Sequence, residues 1–174
     1  MKKNLIMAGL VIGLCLSFGN AAYCQQENPI SKLHLISEIG TLANAQKYDE
    51  ALEKCKSAMQ SYPDDYELYY WKGAVESNLG EHEAAIEDFN KAIELKPELS
   101  SLYVMRGISK SYLDDTKGAI DDFNYAIKLD PKDSSAYSMR ACVKIALGDL
   151  KGANEDLETA NKLFDEETSK QQSK

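Results

Sequence analysis

Ala85-Ile86-Glu87-Asp88-Phe89-Asn90-Lys91-Ala92-Ile93 returns 34 residues later as Ala119-Ile120-Asp121-Asp122-Phe123-Asn124-Tyr125-Ala126-Ile127. A segment that recurs nearly unchanged at a fixed period marks a repeat architecture. Its apolar residues fall at i, i+1, i+4, i+7 and i+8 (Ala85, Ile86, Phe89, Ala92, Ile93). That is one face of a helix, not the alternation of a strand. The period runs outward in both directions. Pro63, Pro97 and Pro131 keep it, as do Tyr69, Tyr103 and Tyr137. Two alanine columns keep it four times: Ala51, Ala85, Ala119, Ala153 and Ala58, Ala92, Ala126, Ala160. Between them lie Cys55, Phe89, Phe123 and Leu157, and a further column reads Ile39, Gly73, Gly107, Ala141.

Each period predicts two helices. Proline closes the second, because it cannot continue a helix and biases the preceding residue away from helical backbone. Asp65, Ser100 and Asp133 stand where N-caps of the next first helices belong. Gly80-Glu81 and Gly148-Asp149 mark the turn inside a unit, glycine suiting a left-handed C-cap. Gly73 and Ala85 let two antiparallel helices approach closely.

In these columns the chain resembles the tetratricopeptide repeat (TPR) family. Tyr69, Gly73, Ala85, Phe89, Ala92 and Pro97 fit its pattern, and Tyr103, Gly107, Ala119, Phe123, Ala126 and Pro131 fit it again. The first unit departs, with Leu35, Ile39 and Cys55 in place of Tyr, Gly and Phe, and the fourth has Leu157 and lacks the closing proline. The resemblance implies an all-α fold, a right-handed α-solenoid of four units: 32–65, 66–99, 100–133 and 134–167. Residues 1–24 precede them as an export signal, 25–31 as a short lead, and 168–174 follow as a polar tail expected to fray.

The resemblance places partner contacts on the concave face of the first helices. The residues so implied are Ile36, Asn44, Tyr70, Ser77, Asn78, Val104, Ile108, Tyr112, Ser138 and Cys142. None is Lys or Arg, whereas TPR domains that capture chaperone C-termini use a clamp containing both. The expected partner is therefore an apolar or amphipathic protein or peptide segment, with Tyr70 and Tyr112 as anchors and Asn44 and Asn78 bonding its backbone. Equally, Tyr70 and Val104 would serve to pack neighbouring units.

The four units also act as their own comparison set. The seventh residues are Glu38, Lys72, Arg106 and Arg140, and the twenty-third are Lys54, Asp88, Asp122 and Asp156. The signs oppose in every unit and reverse together in the first, so an ion pair between the two helices is expected. If partly exposed, each pair contributes only ~0–1 kcal/mol. Columns carrying Leu52 and Met59, Ile86 and Ile93, then Ile120 and Ile127 end in Asn154 and Asn161. Amides there make the last face tolerable to water and mark the fourth unit as terminal.

Met1-Lys2-Lys3, the apolar run 5–18 and the small residues before Cys24 form a secretory signal pattern. Cleavage after Ala22 or Cys24 is favoured, and an uncleaved anchor or a lipid on Cys24 are the other readings. Cys15 fits a lipid site less well. The expected location is periplasmic or secreted, and the bacterial assignment rests on the look of this segment. The 28 acidic against 20 basic side chains become 28 against 18 after cleavage at Cys24, a net charge of −10. That balance argues against nucleic acid and against an anionic membrane surface.

Export permits disulfides. Cys55 and Cys142 fall in distant units on different faces, so two separate thiols are expected, Cys55 in the core. His34 and His82 lack companions at zinc spacing. The doublets Asp64-Asp65, Asp114-Asp115 and Asp121-Asp122 lack a calcium-loop pattern. Cys142 has no base placed to activate it. No phosphate loop or nucleophile elbow occurs. The expectation is a binding scaffold or adaptor without cofactor, metal or catalysis. The competing reading is a structural subunit that uses convex or end surfaces.

Overall fold

The computed structural model describes residues 29–172. They form eight α-helices: α1 (Pro29–Asn44), α2 (Tyr48–Ser61), α3 (Tyr66–Leu79), α4 (His82–Leu95), α5 (Ser100–Tyr112), α6 (Thr116–Leu129), α7 (Ser134–Ala146) and α8 (Leu150–Gln172). The export signal expected over 1–24, with Cys15 and Cys24, lies outside the described residues, as do the first residues of the lead and the end of the tail. The compact body begins at Ile36. Two boundaries differ from the sequence reading. The first helix starts at Pro29, inside the expected lead, and α8 carries the fourth unit to Gln172, through residues expected to fray. Thr168 and Ser169 return their hydroxyls to carbonyls one turn back within α8.

Within a unit the two helices lie antiparallel, and each second helix packs on the first helix of the next unit. The first helices also touch one another, α3 on α5 and α5 on α7. That places them on the inner side of the curve. The array is the α-solenoid the period implied. Its core is the alanine columns, all at most 4% exposed, with Phe89 and Phe123 between them. Ile93, Ile120 and Ile127 pack against a cluster that includes Tyr103 and Val104 of the third unit and Ala136 and Val143 of the fourth, whereas Asn154 and Asn161 are exposed.

The columns acquire physical reasons. Tyr69, Tyr103 and Tyr137 each donate a phenolic hydrogen bond to the carbonyl of Pro63, Pro97 and Pro131, at 3.0, 3.0 and 3.4 Å. The proline that ends one unit is thus tied to the first helix of the next. Asp65 and Asp133 cap α3 and α7, accepting from Glu67 N and from Ser135 and Ala136 N. Ser100 does not cap α5. The cap position is Leu99, and the Ser100 hydroxyl instead donates to Asp133 at 3.2 Å, joining the third unit to the fourth. Every inner turn passes through a positive φ at the fifteenth residue of its unit: Gln46 (59°), Gly80 (84°), Asp114 (60°) and Gly148 (79°). Glycine adopts this freely, whereas a side chain there is strained.

All four expected ion pairs form: Glu38–Lys54, Lys72–Asp88, Arg106–Asp122 and Arg140–Asp156. Three are more buried than expected, with Asp88, Asp122 and Asp156 at most 9% exposed. Arg140 and Lys144 both reach Asp156, and although burial works against that carboxylate, their hydrogen bonds hold it below the usual range.

The second unit breaks this rule. Where the third and fourth have Lys110 and Lys144, it has Glu76, so Lys72 sits between two carboxylates, Glu76 and Asp88. Glu76 is 6% exposed and its Oε2 is buried without a hydrogen-bond partner. Burial, then the hydrogen bond shared with Asp88, push Glu76 up to about 7 against the pull of Lys72. A carboxyl that holds its proton more tightly when folded contributes stability at acid pH, which is lost as pH rises from about 4.5 to about 7. Glu76→Gln removes that loss. In denaturant titrations the variant gains about 1–2 kcal/mol on wild type between pH 5 and pH 8. Parallel curves for the two proteins would contradict this.

Candidate functional site

The inner helices α1, α3, α5 and α7 carry every residue expected to line the groove, but not all of them reach its surface. Ile36 and Val104 are 7% and 5% exposed. Val104 belongs to the core cluster with Tyr103 and Phe123. Ile36 and Val104 are both packing residues, which for Val104 is one of the two roles expected and for Ile36 a correction with a simple cause: the first helices contact each other as well as their partners, which closes over part of the inner face. Ile108 packs on the same cluster, half-buried. Tyr70 packs on Ala74, Ala85 and Phe89, its ring edge-on to Trp71 at 5.4 Å, and burial pushes its phenol up.

Asn44, Asn78, Tyr112 and Cys142 are exposed, and Ser77 and Ser138 half-buried. Some of their hydrogen bonds are internal. The Asn78 amide donates to the Ala74 carbonyl at 2.7 Å, and Ser138 donates to the Ser134 carbonyl at 3.0 Å. Asn78 thus keeps its amide oxygen, an acceptor, for a partner's N–H.

Ser77 and Tyr112 meet through a residue that the sequence does not mark as part of the groove. His82, at the start of α4, stacks on Tyr112 with centroids 4.5 Å apart and planes 3° from parallel. Its Nδ1 lies 3.4 Å from the Ser77 hydroxyl, which accepts from Ser109 at 3.2 Å. A chain of small contacts thus ties the second unit to the third at the lip of the groove. No sequence signal points to it, because His82 and Ser109 recur in no other unit. The stack presents a flat aromatic surface, of which Tyr112 is 68% exposed.

The chemistry of the thiols differs. Cys55 is fully buried, and burial pushes it up to about 11, so it stays protonated. Cys142 is free and exposed. Among the described residues no group of three His, Cys, Asp or Glu side chains could hold a metal ion, and no helix is long and apolar enough to cross a membrane.

Antiparallel helix pairs of 34 residues, stacked in one direction, define an α-helical repeat protein with a concave inner face. Residues 66–99 match the tetratricopeptide repeat family, and the described residues share the fold of solved tetratricopeptide repeat proteins. No curated protein sequence matches it. Among solved structures it is similar to MamA from Desulfovibrio magneticus RS-1, at 19% identity, TM-score 0.69, over 78% of this chain and 76% of that one. It is similar to TTC0263, a thermophilic TPR protein in Thermus thermophilus, at 21% identity, TM-score 0.72, over 77% and 75%. It is also similar to the first TPR of Spaghetti (RPAP3), which is bound to the HSP90 peptide SRMEEVD, at 23% identity, TM-score 0.63, over 67% and 93%.

Proposed function

We propose that this protein is an exported binding scaffold of a bacterial envelope that holds an apolar or amphipathic protein segment in its concave face. The observation that carries the reading is the make-up of that face. Asn44, Asn78 and Tyr112 are exposed there, and none of the expected groove positions is Lys or Arg. A neutral face with an aromatic platform favours apolar side chains and backbone bonding over a terminal carboxylate. The bound peptide of the RPAP3 domain supports the general mode, a segment held by this fold, but that peptide is acidic and suits a basic groove. The export part of the reading rests on residues 1–24 alone.

Crosslinking and co-purification from the envelope fraction test both parts. A partner is expected with wild type and lost, at least tenfold, with Asn44→Ala, Asn78→Ala and Tyr112→Ser combined. Those side chains are exposed, so the fold should survive, and a melting curve checks it. The mature chain is expected to begin near Ala22 or Cys24 by N-terminal sequencing. Full retention of the partner by the triple variant sinks the groove. A chain retained in the cytoplasm sinks the envelope role.

A further inference from the structure

We propose that a second surface, the edge formed by the inner turns of the second, third and fourth units, docks a basic amphipathic helix from a partner protein. Leu79, Leu113 and Leu147 occupy the same place in their units, one residue before the left-handed turn, and are 42%, 37% and 58% exposed. Leu150, just past the last turn, is 62% exposed. Residues at one repeat position form a row along a solenoid. The His82–Tyr112 stack shows that the second and third turns are in contact. The row begins abruptly, since the first unit has Ala45 there, followed by Gln46 and Lys47. Large apolar side chains recurring at exposed turns mark an interaction surface.

Charge selects the occupant. Along these turns Glu81, Glu83, Asp114, Asp115 and Asp149 stand exposed against two exposed cations, Lys117 and Lys151, so the edge is acidic on balance and most strongly at the second unit. Glu81 precedes α4 without capping it through its side chain. Asp114 holds the left-handed position that glycine holds in the second and fourth units. An aspartate there is strained, and no ion pair holds its carboxylate among the described residues. Leucines bordered by an excess of carboxylates fit a segment with leucine-like side chains on one face and Lys or Arg beside them. A second copy would bring five carboxylates against five with only two lysines on each side, and an anionic lipid surface would be repelled by the excess of acid. At roughly 10 Å between adjacent helices, three turns span about 20 Å, the length of about 14 helical residues. The edge is distinct from the groove, and its occupant is basic.

Fluorescence anisotropy with labelled model helices of about 14 residues tests this. A Leu/Lys peptide should bind the full chain at least tenfold more tightly than Leu/Glu or Ser/Lys peptides. Leu113→Ser, Leu147→Ser and Leu150→Ser combined should weaken it tenfold or more. Glu81→Gln, Glu83→Gln and Asp114→Gly combined should weaken it and flatten its salt dependence. The last change copies Gly80 and Gly148, so folding is preserved and this variant decides if the leucine variant unfolds. A groove variant that leaves the His82–Tyr112 stack intact, Asn44→Ala with Ser138→Ala, should bind as wild type. The proposal is overturned if both edge variants bind normally, or if the Ser/Lys peptide binds as well as the Leu/Lys one. It is also overturned if the leucines are needed instead for a dimer in sedimentation or for binding phosphatidylglycerol vesicles.

Discussion

Asp122→Ala is expected to lose about 3 kcal/mol of stability, the largest effect of any single change considered, because it strands two cations and not one. Asp122 is 4% exposed and takes both Arg106 bonds, from Nε at 2.9 Å and Nη2 at 2.6 Å, and Lys110 at 2.8 Å. Arg106 also reaches back to the Asn90 amide oxygen at 2.6 Å, and Arg140 to Asn124 likewise. One guanidinium therefore fixes the two helices of its own unit and the helix before them. Removing the carboxylate leaves Arg106 and Lys110 close together with only Asn90 as acceptor. Arg106→Ala is milder, about 1–2 kcal/mol, since Lys110 still neutralises Asp122. A double-mutant cycle in denaturant, using Arg106→Ala and Asp122→Ala, should show at least 1 kcal/mol of coupling. Coupling near zero would mean that water serves these groups equally well and that the ladder is ornament.

The ladder is legible in the sequence because repeats provide their own comparison. Sign reversal in Glu38 and Lys54 is visible without coordinates, and so is the companion change of Lys110 and Lys144 to Leu42, which removes a cation where the pair is inverted. Burial is not legible. Nothing in the sequence says that the Arg106 stem covers Asp122, nor that contact between first helices hides Val104 while leaving Asn78 exposed. Those outcomes depend on how closely successive units stack. Ser100 misleads for a similar reason: Leu99 has the extended backbone of a cap, and its following serine finds a better acceptor in Asp133 one unit away. The tail of α8 continues to Gln172 because no proline or glycine stops it, and polar composition alone does not predict fraying. The edge leucines recur at 34 residues as plainly as the alanines do. A period reveals equivalence but not exposure, so the sequence alone does not separate them from the core.

Gly107→Ala is expected to cost about 2–3 kcal/mol, against the usual gain for replacing a helical glycine by alanine. A Cβ at Gly107 would lie 2.7 Å from Phe123 Cε1, and at Gly73 3.0 Å from Phe89 Cε1. Both rings are at most 1% exposed, so neither can swing into solvent. The four units solve this crossing with different volumes. They pair Ile39 with Cys55, Gly73 with Phe89, Gly107 with Phe123, and Ala141 with Leu157. As the residue on the first helix grows, the residue opposite shrinks. Ile39 and Cys55 are both fully buried, so the first unit has not lost its core at this place but has exchanged its sides. Its departure from the family pattern is then a compensated swap and no sign of decay. The same logic yields a rescue. Gly107→Ala with Phe123→Leu rebuilds the pair of the fourth unit inside the third. It should recover at least half of the loss in a thermal or denaturant melt, although Phe123→Leu alone leaves a gap and is itself destabilising by about 1 kcal/mol. Additive losses in the double variant would show that the two positions do not share one volume. The crossing would then be set by backbone approach alone, and glycine would be required there whatever stands opposite.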